Sequence, residues 1–410
     1  MRILLINHYA GSPLHGMEYR PYYLAREWVR AGHEVCVVAA SHSHVRRVQP
    51  PVDEGAVEQL IDGIRYCWLP TPAYVGNGVS RLRNVGSFVR QLWRDAADWV
   101  TKVRPDVVIA SSTYPMDFWA ARRIARCCGA KLVYEVHDLW PASLIELTGM
   151  SAFHPFALLC QKAENDAYRD ADAVVSMLPK VAEHMQAHGL DLRRLHIVPN
   201  GIALDDWQDE GGELEPDLAG QLRDFQKAGK TIVGYAGSHG MPNALDTLLD
   251  AATLLRDQAI AFVLVGDGHE KPRLARRVFD EGLSNVALFP PIGKSQIPSF
   301  LRRLDIAYIG WKRVSIYRFG ISPNKLMDYM MAGCAVLHSA DAGNDPVAEA
   351  ECGLTVAPES ATAVAEGVKA LAVCSVEERA AMGARGRAFV ISRHSYRMLA
   401  QQFINAVHSS

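Results

Sequence analysis

The stretch Arg318 to Gly333, RFGISPNKLMDYMMAG, sets a cation and an acid one helical turn apart, at Lys325 and Asp328. A Gly320-Ile321-Ser322-Pro323-Asn324 turn precedes them and Gly333 closes the run, so the pattern predicts a short helix entered through a tight turn. Ser322 or Asn324 can cap that helix. Its N-terminal amides and dipole favour an anion there. Lys325 can add a full positive charge to a diphosphate, and Asp328 can accept hydrogen bonds from ribose hydroxyls. The bland alternative is a surface i,i+3 ion pair worth a few tenths of a kcal/mol.

Three more loops in the same half follow apolar runs. YAGSHG supplies Gly237, Ser238 and Gly240, VGDGHE supplies Gly266 and Gly268, and PPIG supplies Gly293. Glycines admit a phosphate close to the backbone. Each loop alone is a weak signal, and the succession is stronger. In the first half, EVHDLWP sets His137 and Asp138 directly after a strand, where an imidazole can contact sugar hydroxyls or move a proton. A structural histidine is the alternative. HGMEYRP brings Gly16, Glu18 and Arg20 into the first loop, where Arg20 can meet a phosphate or an acidic sugar, or pair with Glu18. The Asp170-x-Asp172 pair precedes a strand and reads as structural. His42 and His44 are poor evidence for a metal, so no metal ligand is assigned. No GxGxxG follows the first strand, and no Walker, GxSxG or HExxH motif occurs.

The elements that must position these loops alternate strand and helix. Ile3–Ile6, a helix carrying the i,i+4 pairs Leu24/Trp28 and Ala25/Val29, and Val35–Ala40 form a βαβ unit. Apolar runs at 106–111, 131–136, 172–177 and 196–199 continue it. A second alternating set begins at TIVGYAG. The 410 residues are too many for one core. The expected fold class is therefore α/β, with two doubly wound Rossmann-like domains facing each other across a cleft. The expected boundaries are 1–198, completed by a C-terminal helix over 388–410, and 199–387.

Lys plus Arg number 43 against 45 Asp plus Glu, a net charge of −2, which argues against a nucleic-acid binder. The eight cysteines contain no CxxC and read as reduced thiols. No apolar run approaches the roughly 18 to 20 residues of a membrane span. Residues 79–100 mix Arg81, Arg83, Arg90 and Arg94 with Phe88, Leu92, Trp93 and Trp99. They read as an ordinary packed helix or as a basic amphipathic one lying on an anionic bilayer. The expected location is cytoplasmic, with contact at the inner membrane surface through 79–100.

Together, NHYAGSPLHGMEYRPYYLAREWVRAGHEV, YEVHDLWP, ADAVVSM, VPNGI, YAGSHG, VGDGHEK, GISPNKLMDYMMAG and CGLTVAP resemble the family 4 retaining glycosyltransferases of GT-B fold, nearly end to end. The branch most similar is that of the amino-deoxyhexose transferases of O-antigen and capsule assembly. The resemblance implies a nucleotide-sugar donor, expected to be UDP-linked and to carry a HexNAc or amino-deoxyhexose. The donor would sit on the second domain and a lipid-linked, polyprenyl-diphosphate acceptor on the first. It implies retention at the anomeric carbon, no essential metal and no other cofactor. It makes Lys325 the diphosphate cation, Asp328 the second acid of the family's E-x7-E motif, and His137 the histidine beside the transferred sugar. It lays Gly11 and Gly16 over the phosphates.

Two departures stand out. The position eight before Asp328 is Gly320, not Glu, so the sugar contact falls to the backbone amides of Gly320 to Asn324. The usual Arg and Lys after the first strand of the second domain are also missing. Two other readings are a nucleotide-sugar epimerase on the same fold and a non-catalytic nucleotide-sugar-binding subunit.

Overall fold

The computed structural model describes residues 1–51, 55–76, 78–208 and 211–409. Two compact units emerge: Met1–Pro199 with Tyr396–Ser410, and Asn200–Ser395. Residues 209 and 210 lie outside the described residues.

In the first unit the strands are β1 (Arg2–Ile6), β2 (Glu34–Ala40), β3 (Val57–Ile61), β4 (Ile64–Leu69), β5 (Val107–Ala110), β6 (Lys131–Val136), β7 (Ala173–Ser176) and β8 (Leu195–Ile197). Across the sheet they run β3-β4-β2-β1-β5-β6-β7-β8, parallel except for β3 against β4. β5 and β7 are buried at every residue, as strands covered on both faces must be. The β3–β4 hairpin is an addition to the expected elements. Its turn is Asp62-Gly63, both at positive φ, the dipeptide a two-residue hairpin favours.

The second unit contains β9 (Thr231–Ala236), β10 (Ile260–Val265), β11 (Val286–Phe289), β12 (Ile306–Gly310), β13 (Ala335–Ser339) and β14 (Gly353–Val356). Their order is β11-β10-β9-β12-β13-β14, all parallel. In each sheet the winding reverses once, beside β1 and β5 in the first and beside β9 and β12 in the second. Such switch points open a crevice beyond the strands' C-terminal ends, where ligands bind in these folds.

The return to the first unit starts at Tyr396, not at 388. Residues up to Arg393 complete a helix, Val376–Arg393, that belongs to the second unit. There Gly383 and Gly386 face Gly333 and Cys352 closely enough that a side chain would collide. The returning helix, Tyr396–His408, buries Leu399, Phe403 and Val407. It meets the helix Arg20–Arg30: Trp28 Nε1 donates to the Ala400 carbonyl at 3.0 Å, and Tyr23 stacks on Tyr396.

Arg20 opens that first helix and corrects the reading that placed it toward a ligand or Glu18. Its side chain is out of water. Nε donates to Glu135 Oε1 at 2.9 Å, and the terminal nitrogens donate to the carbonyls of Val198 and Pro199 at 2.7 and 2.6 Å. Helix start, β6 and the exit from β8 are thereby joined through one guanidinium. Removing it would strand a buried carboxylate, at a cost of about 3–5 kcal/mol. Arg20→Ala is expected to lose that much in the unfolding free energy read from hydrogen exchange of the β6 amides, with Arg20→Met/Glu135→Met recovering much of it.

Candidate active site

Around β1, β5 and β6, one network joins three loops. Glu135 and His137 are two residues apart and share a side of the chain. Ser111, just past β5, donates from Oγ to Glu135 Oε2 at 2.5 Å and lies 3.0 Å from His137 Nε2. Asn7, just past β1, donates from Nδ2 to the Ser111 carbonyl at 2.6 Å. His137 is buried, its Nε2 3.4 Å from Glu135 Oε2. Burial works against a charged imidazole there, but the hydrogen bond to Glu135 and its negative charge prevail and hold the pKa above its usual value. Burial alone would raise the Glu135 carboxyl, yet the Arg20 charge and the His137 contact bring it down to about 2. The arrangement holds the imidazole in a fixed orientation and favours its charged form, suited to hold an oxygen-rich ligand.

Asp138 is exposed beside it, and Glu18 is partly exposed in the first loop, its charge favouring the protonated His137. That loop folds on itself: the Gly16 amide donates to the Ser12 carbonyl at 2.8 Å, and Tyr66 donates to the Gly11 carbonyl at 2.8 Å. A Cβ on Gly11 would lie 1.9 Å from the Gly16 carbonyl oxygen, so this position has no room for a side chain.

In the second unit, Lys325 is the centre. It lies in the helix Asn324–Met331 and donates from Nζ to Tyr235 Oη at 3.0 Å and to Asn243 Oδ1. Its ammonium also faces the Tyr235 and Trp311 rings, at 4.9 and 5.6 Å. Tyr235 and Asn243 both donate to the Ser238 carbonyl, so the cation is tied to the loop after β9. Burial pushes Lys325 down to about 7. Burial also pushes Asp328 up to about 7, against the pull of Lys294, while Asp206 adds to the rise. Lys294 itself donates to Asp206 Oδ2 at 2.8 Å. An anion near Lys325 and hydroxyl donors near Asp328 would each restore the charged form.

Several expected roles change. Neither Ser322 nor Asn324 caps the helix: Pro323 occupies the cap position, with no side-chain cap bond. Ser322 instead accepts from Asn200, N to Oγ and Nδ2 to the carbonyl, both at 2.7 Å. No side chain therefore occupies the amides at the helix start, though the Leu326 amide donates to the Pro323 carbonyl at 3.2 Å. Of the amides assigned to the sugar, Gly320 donates to the Tyr317 carbonyl and Ile321 to Asn344 Oδ1, and Pro323 has none. Ser322 and Asn324 remain. The amides of Gly237 and Gly266 continue the strand ladders, to the Val265 and Phe289 carbonyls, and Gly293 donates to Gln296 Oε1. These glycines supply room rather than donors. A Cβ on Gly266 would stand 1.8 Å from the Gly237 oxygen. Ser238 is exposed.

Glu135, Ser111, Asn7, Tyr235, Asn243 and Asn344 were not singled out in the sequence. Only Glu135 left a signal, a carboxylate inside the apolar run KLVYEV two residues before His137. The Asp170-x-Asp172 pair is structural: Asp170 meets Arg122 and Arg169, and Asp172 Oδ2 accepts from the Leu132 amide.

Comparison with known proteins gives two family matches: residues 15–201 match the Glycosyl transferase 4-like domain, and residues 230–373 match the Glycosyl transferases group 1 domain. The chain is 26% identical over 356 residues to WcaI of Escherichia coli (strain K12), named as a colanic acid biosynthesis glycosyl transferase; the match covers 84% of this chain and 85% of that protein. Among solved structures, sucrose-phosphate synthase from Thermosynechococcus elongatus matches with a TM-score of 0.73 at 17% identity, over 98% of this chain and 97% of that one. HepE of Anabaena, solved with UDP and glucose, matches with a TM-score of 0.68 at 15% identity over the whole of both chains.

The depressed Lys325 pKa gives binding a pH dependence with a definite sign. Below about 7 the free ammonium is charged; above it the group must take up a proton to meet an anion. Pyrophosphate affinity is therefore expected to fall as pH rises from 7 to 9, with proton uptake seen by calorimetry in buffers of different ionisation enthalpy. Lys325→Met is expected to flatten the profile.

Proposed function

Because this chain belongs to the family 4 glycosyltransferases of GT-B fold, we propose that it moves a sugar from a nucleotide diphosphate donor to a lipid-linked glycan in surface polysaccharide assembly. The observation that carries the donor half is Lys325, held by Tyr235 and Asn243 at a helix start that no side chain caps. A departing diphosphate is an oxyanion. Fixed amides and one ammonium in a sheltered site stabilise that charge as it develops, commonly the largest catalytic contribution. Lys325 carries more of it here because the loop GSHGMPNALD after β9 has neither Arg nor Lys. Asp328 takes the ribose hydroxyls. The binding of UDP by HepE supports a UDP-linked donor, and the likeness to WcaI supports polysaccharide assembly. The transferred sugar is a HexNAc or amino-deoxyhexose on the branch resemblance.

The transfer retains the anomeric configuration and needs no metal. The acceptor hydroxyl attacks on the face the diphosphate leaves, the C–O bond to phosphate breaks, and the departing phosphate oxygen takes the hydroxyl proton. His137 orients the sugar through its charged imidazole, positioned by Glu135 and Ser111, rather than removing that proton.

The acceptor's lipid has a counterpart on the first unit. The helix expected over 79–100 is two helices, Val79–Arg94 and Ala96–Val103, broken at Asp95. Trp99 is buried and Arg94 pairs with Asp95, so only the first helix offers an apolar edge. Its Leu82, Val89 and Trp93 line a groove of about 750 Å³ with Trp119, Phe156 and Leu159. Arg90, Arg122 and Lys162 stand at the same groove with Asp166, where Arg122 pairs with Asp170 and Lys162 with Asp166. An apolar trough with cations at its margin suits a polyprenyl chain and its diphosphate, at the cytoplasmic face of the inner membrane. Among the described residues no helix is long and apolar enough to cross a membrane, so contact would be peripheral.

Lys325→Ala is expected to lower kcat by about a hundredfold or more with an unchanged circular dichroism spectrum; turnover near wild type would overturn the assignment. NMR of the product should show the donor's anomeric configuration. Leu82→Ser/Trp93→Ser is expected to reduce sedimentation with anionic vesicles while leaving UDP binding intact.

A further inference from the structure

A cluster on the other side of the chemistry's ledger involves no residue used so far. The helix Pro155–Asp170 carries Glu164, and the helix Ala182–Ala187 carries His184, with His188 at its C-terminal end. The histidines are four residues apart and share one helix face. Their rings lie 4.4 Å apart, centre to centre. One ligand-type atom from each of the three side chains falls within 4.8 Å of the other two.

From this geometry we propose a binding site for a divalent transition metal of the zinc class, with Glu164, His184 and His188 as ligands and solvent in the fourth position. Two imidazoles and one carboxylate are a ligand set that zinc takes, at about 2.0–2.2 Å from each atom. Ligand atoms around a tetrahedral ion stand roughly 3.3–3.5 Å apart, as those bond lengths require, so the side chains need move inward by only about 1 Å. The histidines are half-buried and leave an entry from solvent.

Three features fit a ligand role better than chance proximity. His188 Nδ1 is 2.8 Å from the His184 carbonyl oxygen. It must donate there, which leaves the lone pair on Nε2, the orientation that metal-bound histidines adopt. The Glu164 carboxylate is held from both oxygens: Tyr168 donates to Oε1 and Gln161 to Oε2, each at 2.9 Å. Each oxygen keeps a second lone pair. Finally, Glu164 is 1% exposed, and the basic side chain within 4 Å of its carboxylate among the described residues is an imidazole, His184, with Nε2 at 3.9 Å from Oε1, rather than a Lys or Arg. A buried carboxylate needs a counter-charge, and a bound cation would supply one. The ion would pin the helices that flank β7, as a staple rather than a reagent.

The test is a Co²⁺ titration of the full chain after dialysis against a chelator. One equivalent is expected, with visible absorption bands of a four-coordinate ion, displaced by Zn²⁺, and with a rise in melting temperature. His188→Ala, which removes only a half-buried side chain bonded to its own helix, is expected to weaken binding at least about a hundredfold while retaining the circular dichroism spectrum, and Glu164→Gln likewise. Absence of a stoichiometric Co²⁺ complex, or equal binding by His188→Ala, would overturn the proposal.

Discussion

A guanidinium with no access to water must find acceptors for its donors inside the protein. In the first unit that obligation falls on Arg20, and much of the candidate site follows from its solution. Glu135 balances the charge, and the carbonyls of Val198 and Pro199 take other donors. Because Glu135 sits in β6 and is fixed through Oε1, its second oxygen is presented to Ser111 and His137. A buried ion pair contributes little net stability. What it contributes here is position. It orients an imidazole at the end of its strand and favours its charged form.

The second unit meets a matching constraint with different parts. An ammonium in a sheltered position is held by a phenol and an amide rather than a carboxylate. With no acid neutralising it, burial pulls the Lys325 pKa down to about 7, and an incoming anion would favour the charged form. The loops after β9 and β10 stack so closely that Gly266 has no room for a methyl group. Backbone thus lies against backbone in the loops beside the cation.

The strands were legible because their apolar runs need covering on both faces, and the doubly wound pattern followed from their alternation with helices. The β3–β4 hairpin was harder: β3 is an edge strand with Leu60 exposed, so only the Asp62-Gly63 turn marked it. Lys325 could be read because it opens a helix, Asp328 because it lies one turn further into it, and His137 because it directly follows a strand. Partners could not. Arg20 lies two residues from Glu18 in sequence and pairs with Glu135 instead, a contact set by the adjacency of a helix start and a strand that no local pattern encodes. Likewise a serine and an asparagine before a helix look like caps, and only the tertiary contact between Ser322 and Asn200 decides otherwise.

The missing acid is also a backbone matter. Gly320 stands eight residues before Asp328, with φ 97° and ψ 174°, a region of the map essentially confined to glycine. The loop is clasped there from β13's side: Gly343 N donates to the Tyr317 carbonyl, and Asn344 bonds the Ile321 backbone in both directions. A glutamate at 320 would be strained, and relieving it would disturb that clasp. The glycine is therefore no simple loss of a side chain from an otherwise unchanged loop. It belongs to a chain path that spends the Gly320 and Ile321 amides internally and leaves those of Ser322 and Asn324 at the helix start. On the proposed donor-binding reading, this loop would offer a sugar those two amides and the exposed Asn324 side chain, so the departure bears on which hydroxyls it would read and leaves Lys325 in place for a diphosphate.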